Sequence, residues 1–100
     1  MNLDDLEKSI IDWAGSRGIF AGSTPNSQML KTMEEVGETA RAVLKKDLPE
    51  IKDGIGDIVV TLIIQAHFQG LSLRECVESA YNTISQRTGR MVNGSFVKDA

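Results

Sequence analysis

The chain has 100 residues, of which 41% are hydrophobic and 25% charged, and its net charge is −3. This length predicts one domain over residues 1–100, small enough that a partner subunit would help to cover its core. The negative charge and the lack of a Lys/Arg run argue against binding to nucleic-acid phosphates. The longest apolar run, residues 58–64, is far shorter than the roughly 20 residues of a transmembrane helix, so we expect a soluble protein with no membrane partner.

Cysteine usage and the N-terminus indicate the compartment. Cys76 is the only cysteine, so no internal disulfide can form and a reducing cytoplasm is expected. Its apolar neighbours predict a small core residue. The acidic start of the chain lacks the basic and apolar regions of a secretory signal. These features favour a cytoplasmic protein.

Capping signals and apolar periodicity predict four helices. The first covers residues 4–16 and is expected to bury Leu3, Leu6, Ile10, Trp13 and Ala14. The second opens at Ser23-Thr24-Pro25 and runs to residue 46, after a connection over residues 15–25. The third starts at the turn over residues 47–49, so it lies antiparallel to the second, and it ends near residue 69 before Gly70.

The C-terminal part of the chain carries two further local signals. A capping box, Ser72 to Glu75, opens the fourth helix, which continues to about residue 87. Asn93-Gly94 between short apolar pieces predicts a small hairpin. The β-branched residues 55–64 also suit a buried strand, but the pattern extends through Phe68 without a turn signal. The predicted fold class is therefore all-α, a four-helix bundle with a small C-terminal hairpin.

The second helix separates an acidic face from an apolar one. Lys31, Glu34, Glu35 and Glu38 lie opposite an apolar arc, which comprises Met29, Leu30, Met33, Val36, Gly37, Ala40, Val43 and Leu44. Glu34 and Glu38, at i,i+4, repel each other, so a sequence that optimised only helix stability would avoid the pair. A solvated helix face is the ordinary explanation of such a run.

A second acidic stretch favours a metal site. Glu50, Asp53 and Asp57 share one face of the third helix, which is apolar on almost all sides after Asp57. A buried carboxylate at position 57 must be paired, bind a metal or lose its charge. Lys52 points to a different face, and Lys45 and Lys46 lie at the far end of the preceding helix. Mg²⁺ prefers carboxylate oxygens. With one cysteine and one histidine, a standard zinc set is excluded.

EEVGE at residues 34–38 and GDIVVTLI at residues 56–63 resemble the MazG-like, all-α nucleoside triphosphate pyrophosphohydrolases, in particular small phage-type members, over about residues 13–98. The family pattern is EExxE, a spacer and ExxD. The resemblance implies the metal ligands Glu35, Glu38 and Asp57, with Glu34 as the first acid of the motif. The glutamate of ExxD falls on Gly54, so Asp53 is expected to take its place, and Gly54→Glu to restore part of the activity.

The resemblance also implies an activity and an assembly. Family members use Mg²⁺, with Mn²⁺ as an alternative, and cleave a nucleoside triphosphate to the monophosphate and pyrophosphate. Glu35 or Glu38 orients the attacking water, and Lys31, Asn82 and Arg87 meet the substrate phosphates. A homodimer or a homotetramer built as a dimer of dimers is expected. The alternatives are a phosphoribosyl-ATP pyrophosphohydrolase-like enzyme and a non-catalytic helical regulator that binds a nucleotide.

Three aromatic residues have a structural and a functional interpretation. Core packing is the ordinary role of Trp13, Phe20 and Tyr81. Trp13 and Phe20 lie near the loop before the acidic helix, which makes them candidates for contact with a nucleotide base. His67, among apolar neighbours, is expected to be structural.

Overall fold

A computed structural model describes residues 1–100 and contains five helices and one hairpin. In chain order the elements are α1 Leu3–Ser16, α2 Ile19–Gly22, α3 Pro25–Lys45, α4 Leu48–Phe68, α5 Leu73–Ile84, β1 Gly89–Val92 and β2 Ser95–Lys98. The predicted all-α fold with a C-terminal hairpin is confirmed. The sequence prediction missed the one-turn helix α2, which lies inside the stretch predicted as a connection.

The predicted caps are formed by the predicted residues. Thr24 Oγ1 accepts a hydrogen bond of 3.1 Å from the Ser27 amide at the start of α3. Ser72 and Glu75 form both hydrogen bonds of a capping box at the start of α5. Gly70 ends α4 with a φ of 73°, a conformation that glycine adopts without steric cost.

The C-terminal hairpin is closed by the predicted two-residue turn. Asn93 and Gly94 both have positive φ, 50° and 85°, which is the requirement of a type I′ turn. Gly89 pairs with Lys98 at the open end of the two-stranded antiparallel sheet.

The antiparallel pair α3–α4 is the framework of the fold, and the residues buried on its α3 side are polar or small. Gln28, Thr32 and Ala42 are the buried residues of α3. Thr32 donates a 2.9 Å hydrogen bond to the hydroxyl of Thr61 on α4. Gln28 Nε2 donates one of 3.3 Å to the Thr61 carbonyl. Each buried polar group is thus paired, which offsets its loss of water.

The apolar arc of α3 is exposed in the single chain. Leu30 is 68% exposed and Leu44 is 83% exposed, and most of the other large residues of the arc are exposed as well. No other element of the chain covers this outer face, because α4 contacts the opposite, polar face of α3. The amphipathic pattern therefore marks a surface that lacks a partner in the single chain.

The predicted buried face of α1 is confirmed only in part. Ala14 is buried as predicted, whereas Leu3, Leu6 and Trp13 are exposed and Glu7 is buried. Glu7 is buried because its carboxylate accepts a 2.6 Å hydrogen bond from the Leu73 amide, at the positive end of the α5 dipole. A carboxylate from α1 therefore helps to hold the start of α5.

The core of the single chain is small. Ten of the 100 residues are buried, and the hydrophobic ones are Ala14, Ala42, Ile63, Ile64 and Ala66. The helix α5 and both strands contain no buried residue. Cys76 is exposed, so the prediction that it lies in the core is wrong; the single chain leaves α5 largely uncovered.

No single helix is long and apolar enough to cross a membrane; α4 and α5 reach that threshold only together, as a pair bent by 101°.

Candidate active site

A polar cavity of about 350 Å³ lies between α3 and α4. Its nine lining residues include no hydrophobic one and are Glu35, Glu38, Thr39, Arg41, Lys45, Glu50, Asp53, Gly54 and Asp57. We call it the acidic cavity. The structure thus brings together four of the predicted metal ligands, Glu35 and Glu38 from α3 with Asp53 and Asp57 from α4.

Helical spacing and the antiparallel packing explain this gathering. Glu35 and Glu38 are at i,i+3 on α3, whereas Glu50, Asp53 and Asp57 follow one another at i+3 and i+4 on α4, so each set lies along one helix face. The two rows face each other across the helix pair. The sequence analysis did not include Glu50 in the predicted site, although Glu50 shares a helix face with Asp53 and Asp57 and could have been identified from that position.

The physical argument that required a cation beside Asp57 does not hold for the single chain. It assumed that Asp57 is buried, but the residue is exposed, because α1 and α5 leave this part of α4 uncovered. It also assumed that no basic side chain is near, whereas Arg41 and Lys45 line the same cavity. The antiparallel connection places the end of α3 beside the start of α4, which sequence distance does not reveal.

Glu35 is the most enclosed of the predicted carboxylates. Its side chain is 13% exposed and lies 3.7 Å from Lys31 Nζ, whereas Glu34 is 67% exposed and lies 3.9 Å from the same nitrogen. Glu34 does not line the acidic cavity. The lysine therefore supplies the positive charge expected beside the glutamates of α3, and Glu34 points away from the site.

The remaining carboxylates of the cavity form no ion pair. Besides the two Lys31 contacts, the chain's salt bridges are those of Arg74 with Asp4 and with Glu78. Glu38, Glu50, Asp53 and Asp57 accordingly have charges that are free to interact with a ligand. No three Asp, Glu, His or Cys side chains converge closely enough to form a complete metal site.

Gly54 is required by the approach of the two helices. A Cβ at this position would overlap the Thr39 hydroxyl and lie 3.0 Å from Thr39 Cβ and 3.1 Å from Cγ2. The same hydroxyl donates a 2.8 Å hydrogen bond to the Glu35 carbonyl, so Thr39 is held in place. The structure therefore disfavours a side chain at position 54, and Gly54→Glu would require Thr39 or the helices to move.

The predicted phosphate-binding residues are dispersed. Lys31 lies beside Glu35 but lines a neighbouring cavity, and Asn82 and Arg87 are exposed and line neither cavity. Asn82 belongs to α5, Leu73–Ile84, which does not line the acidic cavity. Within one chain, Arg41 and Lys45 are the cations of the acidic cavity, and the sequence analysis missed both.

The donors available in the cavity fit a hard divalent cation. All are oxygens, from five carboxylates carried by two helices, with no thiol or imidazole among the lining residues. Mg²⁺ binds through few carboxylates and keeps several waters, so a complete cage is not required. Glu35, Glu38, Asp53 and Asp57, with Glu50, are the residues that would hold such an ion.

Comparison with known proteins agrees with this arrangement of two acidic helices. The model of the MazG nucleotide pyrophosphohydrolase domain matches residues 23–92, which include both acidic stretches. The chain belongs to the MazG nucleotide pyrophosphohydrolase family. An 18.2 kDa protein from the rep-hol intergenic region of Haemophilus phage HP1 is 43% identical to this MazG domain over 65 residues, which are 65% of the chain and 40% of that protein. The chain thus spans less than half of this relative's length. No solved structure matches the chain significantly.

Proposed function

We propose that this MazG-family protein is a Mg²⁺-dependent enzyme that cleaves ribo- or deoxyribonucleoside triphosphates to the monophosphate and pyrophosphate. The single observation that carries the proposal is the convergence of carboxylates from both MazG motif helices on one cavity, together with two cations. Carboxylates suit a metal that accompanies phosphates, and cations suit the phosphates themselves.

The carboxylates have separate tasks in this proposal. Asp53 and Asp57 of α4, with Glu35 of α3, hold Mg²⁺, and Mn²⁺ is an alternative with the same ligand preference. When bound, the metal neutralises charge on the triphosphate and polarises a phosphoryl oxygen. Glu35 suits a ligand role because it is the most enclosed of the predicted carboxylates, with a side chain that is 13% exposed.

Glu38 is the better general base because it has no ion pair within the chain. It accepts a proton from the attacking water, whose oxygen forms a bond to phosphorus as the bond to the leaving pyrophosphate breaks. General bases contribute about 10²- to 10⁴-fold to a rate. Arg41 and Lys45 stabilise the negative charge that remains on the pyrophosphate.

The assembly that we propose is a homodimer or a dimer of dimers. The outer face of α3 exposes Met29, Leu30, Met33, Val36, Val43 and Leu44, and α5 buries none of its residues. Apolar surface of this extent usually marks an interface, and a two-fold axis is its commonest symmetry. Asn82 and Arg87, which lie away from the cavity of their own chain, would then approach that of the partner.

A non-catalytic nucleotide-binding protein remains the second candidate, because of one observation. Position 54, where the family motif carries a glutamate, has no room for any side chain, and Asp53 is one methylene shorter than the glutamate it would replace. Such a protein would bind nucleotides with Mg²⁺ but release no pyrophosphate. No feature of the cavity favours phosphoribosyl-ATP over other triphosphates.

The decisive experiment measures pyrophosphate release from a panel of ribo- and deoxyribonucleoside triphosphates with Mg²⁺. We expect activity on at least one substrate, a loss of about 100-fold or more in Glu38→Gln, and little change in Glu34→Gln, the matched control outside the cavity. Absence of pyrophosphate with every substrate would contradict the enzymatic proposal. A metal-free Glu38→Gln protein that melts several degrees lower would make Glu38 a structural residue instead.

A further inference from the structure

A second cavity adjoins the acidic cavity and shares two of its residues, Glu35 and Asp57. It has a volume of about 260 Å³ and is lined by Trp13, Ile19, Gln28, Lys31, Glu35, Asp57, Val60, Thr61 and Ile64. We call it the tryptophan cavity. Unlike the acidic cavity it has apolar walls, formed by Ile19 with Val60 and Ile64. A ligand that fills both cavities must therefore be polar and charged at one end and largely apolar at the other.

The tryptophan ring is available to a ligand. Trp13 is 47% exposed, so part of its ring surface is accessible. The Arg17 guanidinium lies over the ring, 5.9 Å from its centroid, which orients the indole by a cation–π contact. A planar aromatic ligand can stack on such a surface, and stacking of a base on an aromatic side chain tolerates any base.

The floor of the tryptophan cavity presents one free acceptor of hydrogen bonds. Gln28, which is 7% exposed, donates through Nε2 to the Thr61 carbonyl. A carbonyl only accepts, so this contact fixes the orientation of the amide and leaves Oε1 as a free acceptor. The Thr61 hydroxyl donates to the Ile58 carbonyl and accepts from Thr32, so it is already occupied. The cavity therefore suits a planar ring that carries an N–H at its edge.

We infer that the tryptophan cavity binds the base of the nucleotide, with the ring stacked on Trp13 and an N–H group directed at Gln28 Oε1. This inference rests on the proposed function, since it needs the phosphates in the acidic cavity. Glu35 and Asp57 form the common wall, so the sugar crosses between the cavities beside them. Lys31, held 3.7 Å from Glu35, lies at this crossing.

Tryptophan fluorescence tests the inference without relying on catalysis, because Trp13 is the only tryptophan of the chain. The probes are α,β-methylene nucleoside triphosphates with Mg²⁺, which resist cleavage at the reacting bond, and inorganic tripolyphosphate with Mg²⁺ as the control without a base. We expect saturable quenching by the nucleotides and a much smaller change with tripolyphosphate. Equal changes with both probes, or binding of the nucleotides without quenching, would overturn the inference.

Kinetics of two variants give an independent readout. Loss of base stacking in Trp13→Ala should raise KM about 10- to 100-fold with a smaller change in kcat, whereas Trp13→Phe, which keeps an aromatic face, should recover most of the affinity. Unchanged KM in Trp13→Ala while pyrophosphate is still released would refute the base site and leave the proposed function standing. Nucleotide binding with quenching but without any pyrophosphate release would refute the proposed enzymatic function and leave the base site standing.

Discussion

Replacing Gly54 by alanine should destabilise the protein, although alanine is the better helix former. The new Cβ would overlap the Thr39 hydroxyl and lie 3.0 Å from Thr39 Cβ. Rotation of Thr39 gives only partial relief, because it breaks the 2.8 Å hydrogen bond from the Thr39 hydroxyl to the Glu35 carbonyl and leaves Thr39 Cβ 3.0 Å from the new atom. The helices α3 and α4 must therefore separate, and the wall of the acidic cavity moves with them.

The magnitude follows from two opposing terms. Overpacking costs about 1–3 kcal/mol, and a stiff, hydrogen-bonded neighbour favours the upper half of that range. Replacing glycine by alanine in a helix recovers about 1 kcal/mol. The net loss of about 1–2 kcal/mol should lower Tm by roughly 4–16 °C in a domain of this size.

Gly56→Ala is the matched control, because it changes the same residue type in the same helix. No atom lies within 4 Å of a Cβ built at Gly56, so only the helix propensity changes and Tm should rise. Differential scanning calorimetry of the two variants compares the signs directly. If Gly54→Ala raises Tm as much as Gly56→Ala does, the close contact with Thr39 does not exist. The double variant Thr39→Gly, Gly54→Ala should recover part of the loss, because it moves the small residue to the other helix.

Three further outcomes are expected. Asp53→Asn and Glu50→Gln should each raise the Mg²⁺ concentration for half-maximal activity at least about tenfold, as measured by metal titration, and an unchanged requirement would remove that residue from the metal site. The hydrogen bond from Arg74 lowers the pKa of Asp4 below its ordinary value of 3.8. This link between α1 and α5 therefore contributes stability above that pH, and the contribution is lost as the pH falls through the lowered pKa. NMR titration of Asp4 should show a low midpoint that returns toward 3.8 in Arg74→Gln, and equal midpoints in the two proteins would disprove the link. Sedimentation equilibrium at micromolar concentration should show a dimer or tetramer, and a folded monomer would contradict the proposed assembly.

Much of the secondary structure was predictable because its causes are local. Proline after a capping threonine starts α3, a capping box starts α5, and Asn93-Gly94 meets the backbone requirement of a two-residue hairpin turn. These contacts span two to four residues, so the amino-acid sequence alone contains them. The spacing of Glu35 and Glu38, and of Asp53 and Asp57, likewise determined which carboxylates share a helix face.

The sequence also indicated how much apolar surface α3 carries, but not what covers it. An amphipathic pattern reports burial in the final assembly, whether the cover comes from the same chain or from another. The arc extends from Met29 to Leu44, whereas α4 packs against the opposite face of α3. Only the tertiary structure decided this, because a helix pair approaches closely where its residues are small, and here Gly54 of α4 lies against Thr39 of α3.

The tertiary structure also decided which side chains make up the site. The sequence analysis did not include Arg41 and Lys45 in the site, yet the antiparallel return of α4 places them beside Glu50 and Asp53. The tryptophan cavity likewise combines α1 and α2 with residues of α3 and α4. The sequence by itself determined the helices, their caps and the two rows of carboxylates, since these depend on neighbours along the chain. The tertiary structure decided which rows face each other and which cations join them, because those contacts depend on how closely the helices approach.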